Sequence, residues 1–276
     1  MRERTARALL THSFNCTLRV KWTSDGLALA YEQLRIYPAA MSQQGVAVDG
    51  IRVLAFDVFG TVVDWHGTIA REVAELQLGV NSEAFALAWR AGYVPAMRRV
   101  ASGEIAWTLL DALHRGILDQ ILEPFGLHEL DEARRRKLNL VWHRLDPWPD
   151  SVEGLTRLKR RFTICTLSNG NIGLLTDMAK HAALPWDCIL SAENFQKYKP
   201  DPAVYLGAAR IFACEPSELM LVAAHHSDLR AAESCGLGSA YIERPQEYGA
   251  MRLTEQESEH TLRATDLVDL ATQLGC

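Results

Sequence analysis

The sequence predicts an α/β fold built on a parallel β-sheet, and three observations support this. The short apolar run "IRVLAFDVF" at 51–59 is typical of a buried parallel strand. Residues 62–148 contain helical periodicity and no comparable strand. From residue 149 onward, strand and helix patterns alternate, and repeated βα units imply a parallel sheet with helices on both faces. With 276 residues, 48% of them hydrophobic, the chain can bury a large core.

Residues 1–50 differ from the rest because they carry several arginines and turn residues with little periodicity. One interpretation is an upstream extension, poorly ordered, with Met41 as the natural start of the folded protein. The other is an amphipathic targeting peptide, since the stretch is acid-poor. No sustained apolar stretch of the kind found in a secretory signal peptide is present. Strong strand and helix patterns begin only at Ile51, so we expect the α/β core to begin there.

The helical stretch after the first strand has the form of an inserted domain. Its periodicity predicts four helices, at Trp65–Leu78, Ser82–Val100, Ala106–Leu122 and Asp131–Leu145. We predict that residues 62–148 form a helical cap domain. The α/β core then consists of residues 51–61 and 149–276.

In the C-terminal part of the sequence, the patterns predict alternating helices and strands. Asp150 and Glu153 have the spacing of a capping box, which predicts a helix to about Arg160. Asp201 is placed to cap a helix that starts at Pro202. The other predicted elements are the strand "FTICTLS" (162–168), a helix from Asn171, a strand at Cys188–Ser191, the strand "LMLVAA" (219–224), a helix at Asp228–Cys235, the strand "SAYI" (239–242) and a helix at Leu267–Leu274.

Composition argues against several classes of partner. The net charge is −5 and no long basic block exists, which argues against nucleic-acid binding. No run approaches the roughly 18–20 apolar residues of a membrane span, so we expect no membrane association. The six cysteines have no CxxC spacing and lie mostly in apolar runs, as free thiols do in a reducing cytoplasm. We predict a cytoplasmic protein.

Polar clusters follow four of the predicted strands. Asp57 and Thr61 follow the first, Ser168-Asn169-Gly170 the second, Lys199 the third, and His225 with Asp228 the fourth. Ligands of open parallel sheets bind beyond the carboxyl ends of the strands. One such cluster is ordinary for a turn, and Asp57 or Lys199 alone has a structural explanation as a turn or solvated loop residue. Four clusters at successive strand ends predict a site.

The same segments carry a family resemblance. "DVFGT" (57–61), "SNG" (168–170), "YKPD" (198–201) and "AAHHSDL" (223–229) resemble the haloacid dehalogenase superfamily, and in particular its L-2-haloacid dehalogenase (type II) branch. The resemblance spans about residue 51 to the C-terminus. It implies a Rossmann-like core with a parallel sheet and a helical cap inserted after the first strand. It also implies a small haloacid as substrate, and a homodimer is common in the family.

Two positions separate this chain from the Mg-dependent phosphatases that dominate the superfamily. Those enzymes need a second aspartate two residues after the nucleophile, where this chain has Phe59. They also need paired acids in the fourth motif, and the position four before Asp228 is Ala224. A departing halide needs no proton, so Phe59 does not impair dehalogenation, and an apolar wall suits an alkyl carbon. We therefore expect no metal and no cofactor.

The resemblance implies a covalent mechanism centred on Asp57. Asp57 attacks the halogen-bearing carbon to form an ester, and water then hydrolyses the ester at the Asp57 side chain. Lys199 keeps Asp57 ionised and Thr61 orients it. Either Asp228 or His225 activates the water, or His225 contacts the halide. Histidine at this position marks an "AAH" sub-branch that includes defluorinating enzymes.

The remaining site residues bind the substrate. The expected contacts with the substrate carboxylate are the backbone N–H groups at Val58 and Phe59, and Ser168 with the helix start near Gly170. The family resemblance places Arg90 and Asn169 at the halide, and it matches Tyr205 to an active-site tyrosine. Taken alone, Arg90 fits a surface helix arginine better than a ligand-binding residue.

The predicted function is hydrolytic dehalogenation of short 2-haloalkanoic acids such as chloroacetate, with fluoroacetate left open. A phosphatase and a catalytically silent binding module that retains the fold are the alternatives. Phe59 and Ala224 argue against the first. The second predicts no turnover of any haloacid although Asp57 and Lys199 are present.

Overall fold

A computed structural model describes residues 48–250 and 260–276 of the chain. The extension predicted for residues 1–50, with Met41 and Cys16, lies outside the described residues except for a short 3-10 turn at Val48–Gly50. Within the described residues, no helix has both the length and the apolar character needed to cross a bilayer.

Six parallel strands form the central sheet of the described residues, in the order β5-β4-β1-β6-β7-β8. The strands are β1 (Val53–Phe56), β4 (Thr163–Ser168), β5 (Cys188–Ser191), β6 (Leu219–Ala223), β7 (Gly238–Ile242) and β8 (Leu262–Ala264). A separate antiparallel ribbon pairs β2 (Val63–Asp64) with β3 (Asp146–Pro147). The predicted parallel sheet is confirmed, although β8 and the ribbon were not predicted.

Within the described residues, five helices lie between β2 and β3 in the sequence, and five more follow β3. The first group is α1 (Trp65–Glu75), α2 (Ser82–Ala91), α3 (Tyr93–Ala101), α4 (Leu110–Leu122) and α5 (Glu132–Asn139). The second group is α6 (Ser151–Leu158), α7 (Ile172–His181), α8 (Pro202–Ile211), α9 (His226–Ser234) and α10 (Leu267–Gln273).

Strand β1 supplies both layers of the core because successive side chains of a strand point to opposite faces. Val53 and Ala55 pack in one apolar cluster with side chains of α8 and α9. Leu54 and Phe56 pack in the other, with side chains of α6, α7, α10 and the inserted helices. All four residues are buried. Coverage on both faces explains why β1 is a continuous apolar run. Asp57 follows it directly, at the carboxyl end of the strand.

The inserted helices begin and end at the β2–β3 ribbon. Val63 pairs with Pro147, and Asp64 pairs with Asp146. The side chain of Asp64 also caps α1 by accepting a hydrogen bond from the Gly67 N–H. The ribbon therefore ties together the two points where the chain leaves and re-enters the core. The domain boundaries at 62 and 148 stay a prediction.

Three predicted helices differ in extent from the observed ones. The helix predicted for Ser82–Val100 is two helices, α2 and α3, which meet at Gly92. A Cβ at Gly92 would overlap the Ile117 side chain, so this junction packs directly on α4. The helix predicted for Ala106–Leu122 begins only at Leu110. In the segment predicted as the helix Asp131–Leu145, the last turns form a 3-10 helix at Leu140–Arg144.

The capping box predicted at Asp150 is wrong, although α6 does start at the next residue. The Asp150 side chain makes no cap hydrogen bond. Its two oxygens instead accept hydrogen bonds from the Arg244 guanidinium at 2.8 and 2.7 Å. It also accepts one from the Leu267 N–H at the start of α10. Long-range partners therefore take the carboxylate that the local pattern assigned to its own helix.

Candidate active site

A cavity of about 1160 Å³ opens beyond the carboxyl ends of the central strands. Parallel α/β sheets bind their ligands at this edge. Seven of the residues predicted for the site line the cavity: Asp57, Phe59, Arg90, Asn169, Lys199, His225 and Asp228. Its outer wall is largely apolar and includes Met97 of α3 together with Ile105 and Trp107.

Asp57 is held by donors on both carboxylate oxygens. Its N–H continues the sheet by donating to the Val222 carbonyl. Oδ1 accepts a hydrogen bond from Lys199 Nζ at 3.0 Å. Oδ2 accepts one from Thr61 Oγ1 at 2.9 Å and lies 3.1 Å from His225 Nδ1. Burial raises the pKa of Asp57, but the nearby Lys199 and His225 together lower it by more, so the pKa lies well below its usual range. The carboxylate is therefore ionised.

Lys199 bridges two carboxylates. Its Nζ lies 3.0 Å from Asp57 Oδ1 and 2.5 Å from Asp228 Oδ2, and its backbone N–H donates to Asn169 Oδ1. Although burial lowers the pKa of Lys199, Asp228 and Asp57 raise it above the ordinary value. The Tyr205 hydroxyl, from α8, donates to Asp228 Oδ1 at 2.6 Å. Lys199 is thus a fixed, permanently charged ammonium directly beside Asp57.

Arg90 brings a second cation into the cavity from α2. Its guanidinium lies 4.1 Å from the ring centroid of Tyr93 and 5.4 Å from that of Trp65. Nη1 is buried and makes no hydrogen bond within the described part of the chain. A buried guanidinium N–H without an acceptor is suited to an anion that enters the cavity.

Four predicted site residues do not line the cavity. Val58 and Ser168 are buried behind it, and the Ser168 hydroxyl accepts a hydrogen bond from the Gly170 N–H. Thr61 and Tyr205 act through other side chains, since each hydrogen-bonds a carboxylate that faces the cavity. Thr61 Oγ1 also accepts from the Ala224 N–H, which ties the Asp57 loop to the end of β6.

Phe59 provides an apolar surface where a phosphatase carries its second aspartate. Its ring packs edge-on against Trp142 and His114 at centroid distances of 5.8 and 6.3 Å. His114 itself stacks on Trp142, and burial lowers its pKa to about 3, so the ring is neutral. This part of the site therefore offers no carboxylate for acid catalysis or metal binding.

Comparison with known proteins places the chain in a family. The profile of the haloacid dehalogenase-like hydrolases matches residues 51–236. The chain belongs to this family. It is 30% identical over 218 residues to (S)-2-haloacid dehalogenase 4A of Burkholderia cepacia, covering 76% of this chain and 91% of that protein. It is 32% identical over 210 residues to (S)-2-haloacid dehalogenase 1 of a Pseudomonas species (strain CBS-3), covering 73% and 89%.

Two solved structures of haloacid dehalogenases agree with this placement. The crystal structure of a defluorinating L-2-haloacid dehalogenase superposes with a TM-score of 0.79 at 45% identity, covering 82% of this chain and 96% of that one. A second L-2-haloacid dehalogenase gives a TM-score of 0.78 at 45% identity, covering 81% and 99%. The predicted family, its L-2-haloacid branch and the α/β fold with a helical cap after the first strand are confirmed.

The donor set of this haloacid dehalogenase homologue does not suit the magnesium ion used by phosphatases of the superfamily. Magnesium requires several oxygen ligands, and the Lys199 ammonium already bridges the Asp57 and Asp228 carboxylates. Within the described residues, no group of three or more His, Cys, Asp or Glu side chains is arranged to hold a metal.

Glu247 is a site residue that the sequence analysis missed. It lies in the loop after β7, is 5% exposed, and its Oε1 and Oε2 lie 3.0 and 3.1 Å from His225 Nε2. Strand β7 ends at the same edge of the sheet as the four strands whose ends predicted the site. The strand-end rule, applied to a fifth strand, could have drawn attention to this loop.

Proposed function

We propose that the chain hydrolyses the carbon–halogen bond of short 2-haloalkanoic acids and releases 2-hydroxy acids through an aspartyl ester on Asp57. The observation that carries the proposal is an ionised Asp57 facing an apolar cavity beside two cations, Lys199 and Arg90. The similar proteins named as (S)-2-haloacid dehalogenases support the substrate class. The 45% identical structure described as defluorinating supports a test of fluoroacetate.

In the first step, an oxygen of Asp57 attacks the halogen-bearing carbon, and the halide leaves with the bonding electron pair. No proton is needed, so a site without a general acid at Phe59 is adequate. The free Nη1 of Arg90 and the Asn169 side chain receive the halide, and the backbone N–H of Phe59, which lines the cavity, receives the substrate carboxylate. The Gly170 N–H and the Ser168 hydroxyl hydrogen-bond to each other behind the cavity and take no part. The Phe59 ring packs against the alkyl part.

In the second step, water attacks the side-chain carbonyl of the Asp57 ester. Both ring nitrogens of His225 already face carboxylates, so His225 serves as a donor and is poorly placed to remove a proton from water. Asp228 lines the cavity as a carboxylate and is held by Lys199 and Tyr205. Of the two candidates for water activation, we therefore assign Asp228.

The test is halide release from haloacetates and 2-halopropionates with a chelator present. We expect chloride and bromide to be released at the same rate with and without the chelator, because Lys199 occupies the position between the two carboxylates. The panel includes fluoroacetate, which tests whether the site releases the small fluoride ion. It also includes 2-bromohexanoate, whose longer alkyl chain tests the apolar wall near Met97 and Trp107. Loss of activity with the chelator, or chelator-sensitive hydrolysis of phosphate esters instead, would contradict the proposal.

A cytoplasmic location is part of the proposal. Cys165, Cys188, Cys214, Cys235 and Cys276, the cysteines within the described residues, are all free thiols. Unpaired thiols suit a reducing compartment. A homodimer stays a prediction from the family resemblance, and sedimentation equilibrium of the purified chain measures it.

A further inference from the structure

Glu247 is a buried carboxylate that contacts the site from behind. In addition to His225, its Oε1 accepts a hydrogen bond from the Trp65 indole N–H at 3.0 Å. A Cβ at Gly60 would overlap the Glu247 carboxylate, so this side chain also packs directly against the loop that carries Asp57. A buried charge is costly unless it is paired. The pairing partner is His225.

His225 lies between two carboxylates. Nδ1 is 3.1 Å from Asp57 Oδ2, and Nε2 is 3.0 Å from Glu247 Oε1. A neutral imidazole has one donor nitrogen and one acceptor nitrogen, whereas an imidazolium donates from both. Two ionised carboxylates at the two nitrogens can both be satisfied only by the imidazolium. The geometry alone therefore selects the protonated ring.

The charges around the ring favour the same state. Asp57 after β1 and Glu247 after β7 contact the His225 ring. The other charged or titratable groups that line the same cavity near it are Arg90 of α2, Lys199 before α8, Asp228 of α9 and Tyr248 after β7. Three carboxylates face two permanent cations, so a protonated His225 brings this cluster to neutrality before an anionic substrate enters. Burial lowers the pKa of His225, but Glu247 and then Asp57 raise it well above its usual value.

We propose that Glu247 is a positioning residue that holds His225 as an imidazolium with its Nδ1–H directed at Oδ2 of Asp57. The inference rests on the proposed dehalogenation and adds a residue to it. Glu247 touches neither the substrate nor the reacting atoms. It acts by fixing the orientation and the charge of His225.

This arrangement has a consequence for ester hydrolysis. Oδ2 accepts hydrogen bonds from both Thr61 and His225, whereas Oδ1 accepts one from Lys199. Oδ1 is therefore the attacking oxygen, and Oδ2 becomes the ester carbonyl oxygen. Donors aimed at an oxygen that gains charge lower the barrier to addition.

The water oxygen bonds to Cγ of Asp57, the electron pair of the carbonyl moves onto Oδ2, and the water proton passes to Asp228. Collapse restores the carbonyl and breaks the bond between Cγ and Oδ1. The departing oxygen takes the proton from Asp228, and the remaining acid proton on Asp57 is lost to solvent together with the halide. The imidazolium stabilises the charge on Oδ2 throughout.

The test is the pH dependence of kcat for Glu247→Gln, a variant that keeps the shape and removes the charge. The required form has His225 protonated, so activity falls as pH rises through the pKa of His225. Without Glu247 this pKa is lower, and we expect the alkaline limb of kcat to move down by about one pH unit or more. At pH values above the His225 pKa of both proteins, the kcat of the variant should be about tenfold or more below that of the wild type. At acidic pH its rate should approach that of the wild type.

Two further variants separate charge from shape. Glu247→Asp keeps the charge and should retain the wild-type position of the limb even if its rate is lower. Glu243→Gln removes a carboxylate of the same loop that pairs with Arg263 outside the site, and it should leave the profile unchanged. A uniform loss at every pH in Glu247→Gln, or no loss at all, would overturn the inference.

A second readout does not need turnover. Nitrogen-15 NMR of histidine-labelled protein, with His225→Asn to assign the signal, reports the protonation of the ring directly. We expect a protonated His225 at pH 7.5 in the wild type and a lower pKa in Glu247→Gln. A His225 that is neutral at that pH in the wild type would overturn the inference. Failure of the wild type to release any halide would instead overturn the proposed function.

Discussion

Asp57→Asn is expected to reduce halide release by about 10⁴-fold or more, because an amide lacks the anionic oxygen that displaces the halide. The variant should remain folded, since Lys199 keeps its contact with Asp228 and His225 keeps its contact with Glu247. The measurement is halide release from chloroacetate, followed by ion chromatography, together with thermal unfolding of the variant.

A matched control for this change is Asp131→Asn. Asp131 caps α5 on the surface by accepting a hydrogen bond from the Arg134 N–H, and asparagine caps helices equally well. This variant should release halide at the wild-type rate. If Asp57→Asn retained more than about one hundredth of the wild-type rate, the assignment of Asp57 as the nucleophile would be wrong.

Lys199→Met is expected to impair both activity and stability. Removing the ammonium leaves Asp57 and Asp228, both buried, without the cation that bridges them. Removing one partner of a buried ion pair typically costs about 3–5 kcal/mol in the free energy of unfolding. We expect a loss in halide release of about 10³-fold at neutral pH, because the pKa of Asp57 rises and a smaller fraction of the nucleophile is ionised.

The pH dependence of Lys199→Met shows in which direction stability and activity should change with pH. In the wild type, the depressed pKa of Asp57 stabilises the fold at any pH above the ordinary carboxyl range, and this contribution is lost only as pH falls through the depressed value. In the variant, activity should recover in part as pH rises and Asp57 ionises. Lys180→Met, an exposed change on α7, is the control and should match the wild type. A variant with unchanged stability and an unchanged profile would contradict the role given to Lys199.

Seven of the residues predicted for the site line the cavity, because the information that places them is local. Asp57 and Asn169 directly follow a strand, Asp228 lies in the first turn of the helix after one, and Lys199 lies between β5 and α8. Parallel strands bring their carboxyl ends to one edge of the sheet, so these residues had to converge. The strand pattern does not predict which side chains line the cavity and which are buried behind it.

The errors arose where long-range contacts decide the outcome. Helices α2 and α3 meet at Gly92, where the backbone packs closely on Ile117, and the helical periodicity of residues 82–100 does not reveal this contact. Asp150 has a capping pattern, but Arg244, 94 residues later, takes its carboxylate. Glu247 meets His225 only because the loop after β7 folds back over the site. No local signal specifies any of these pairings.

The most direct test of the covalent mechanism is a single turnover in water enriched in oxygen-18, with enzyme in excess over 2-haloacid. Ester hydrolysis at Cγ should leave the label in Asp57, found by mass spectrometry in the peptide that contains it, while the first 2-hydroxy acid released carries ordinary oxygen. Label in the 2-hydroxy acid and none in Asp57 would mean that water displaces the halide directly, and the account given for Asp57 would be wrong.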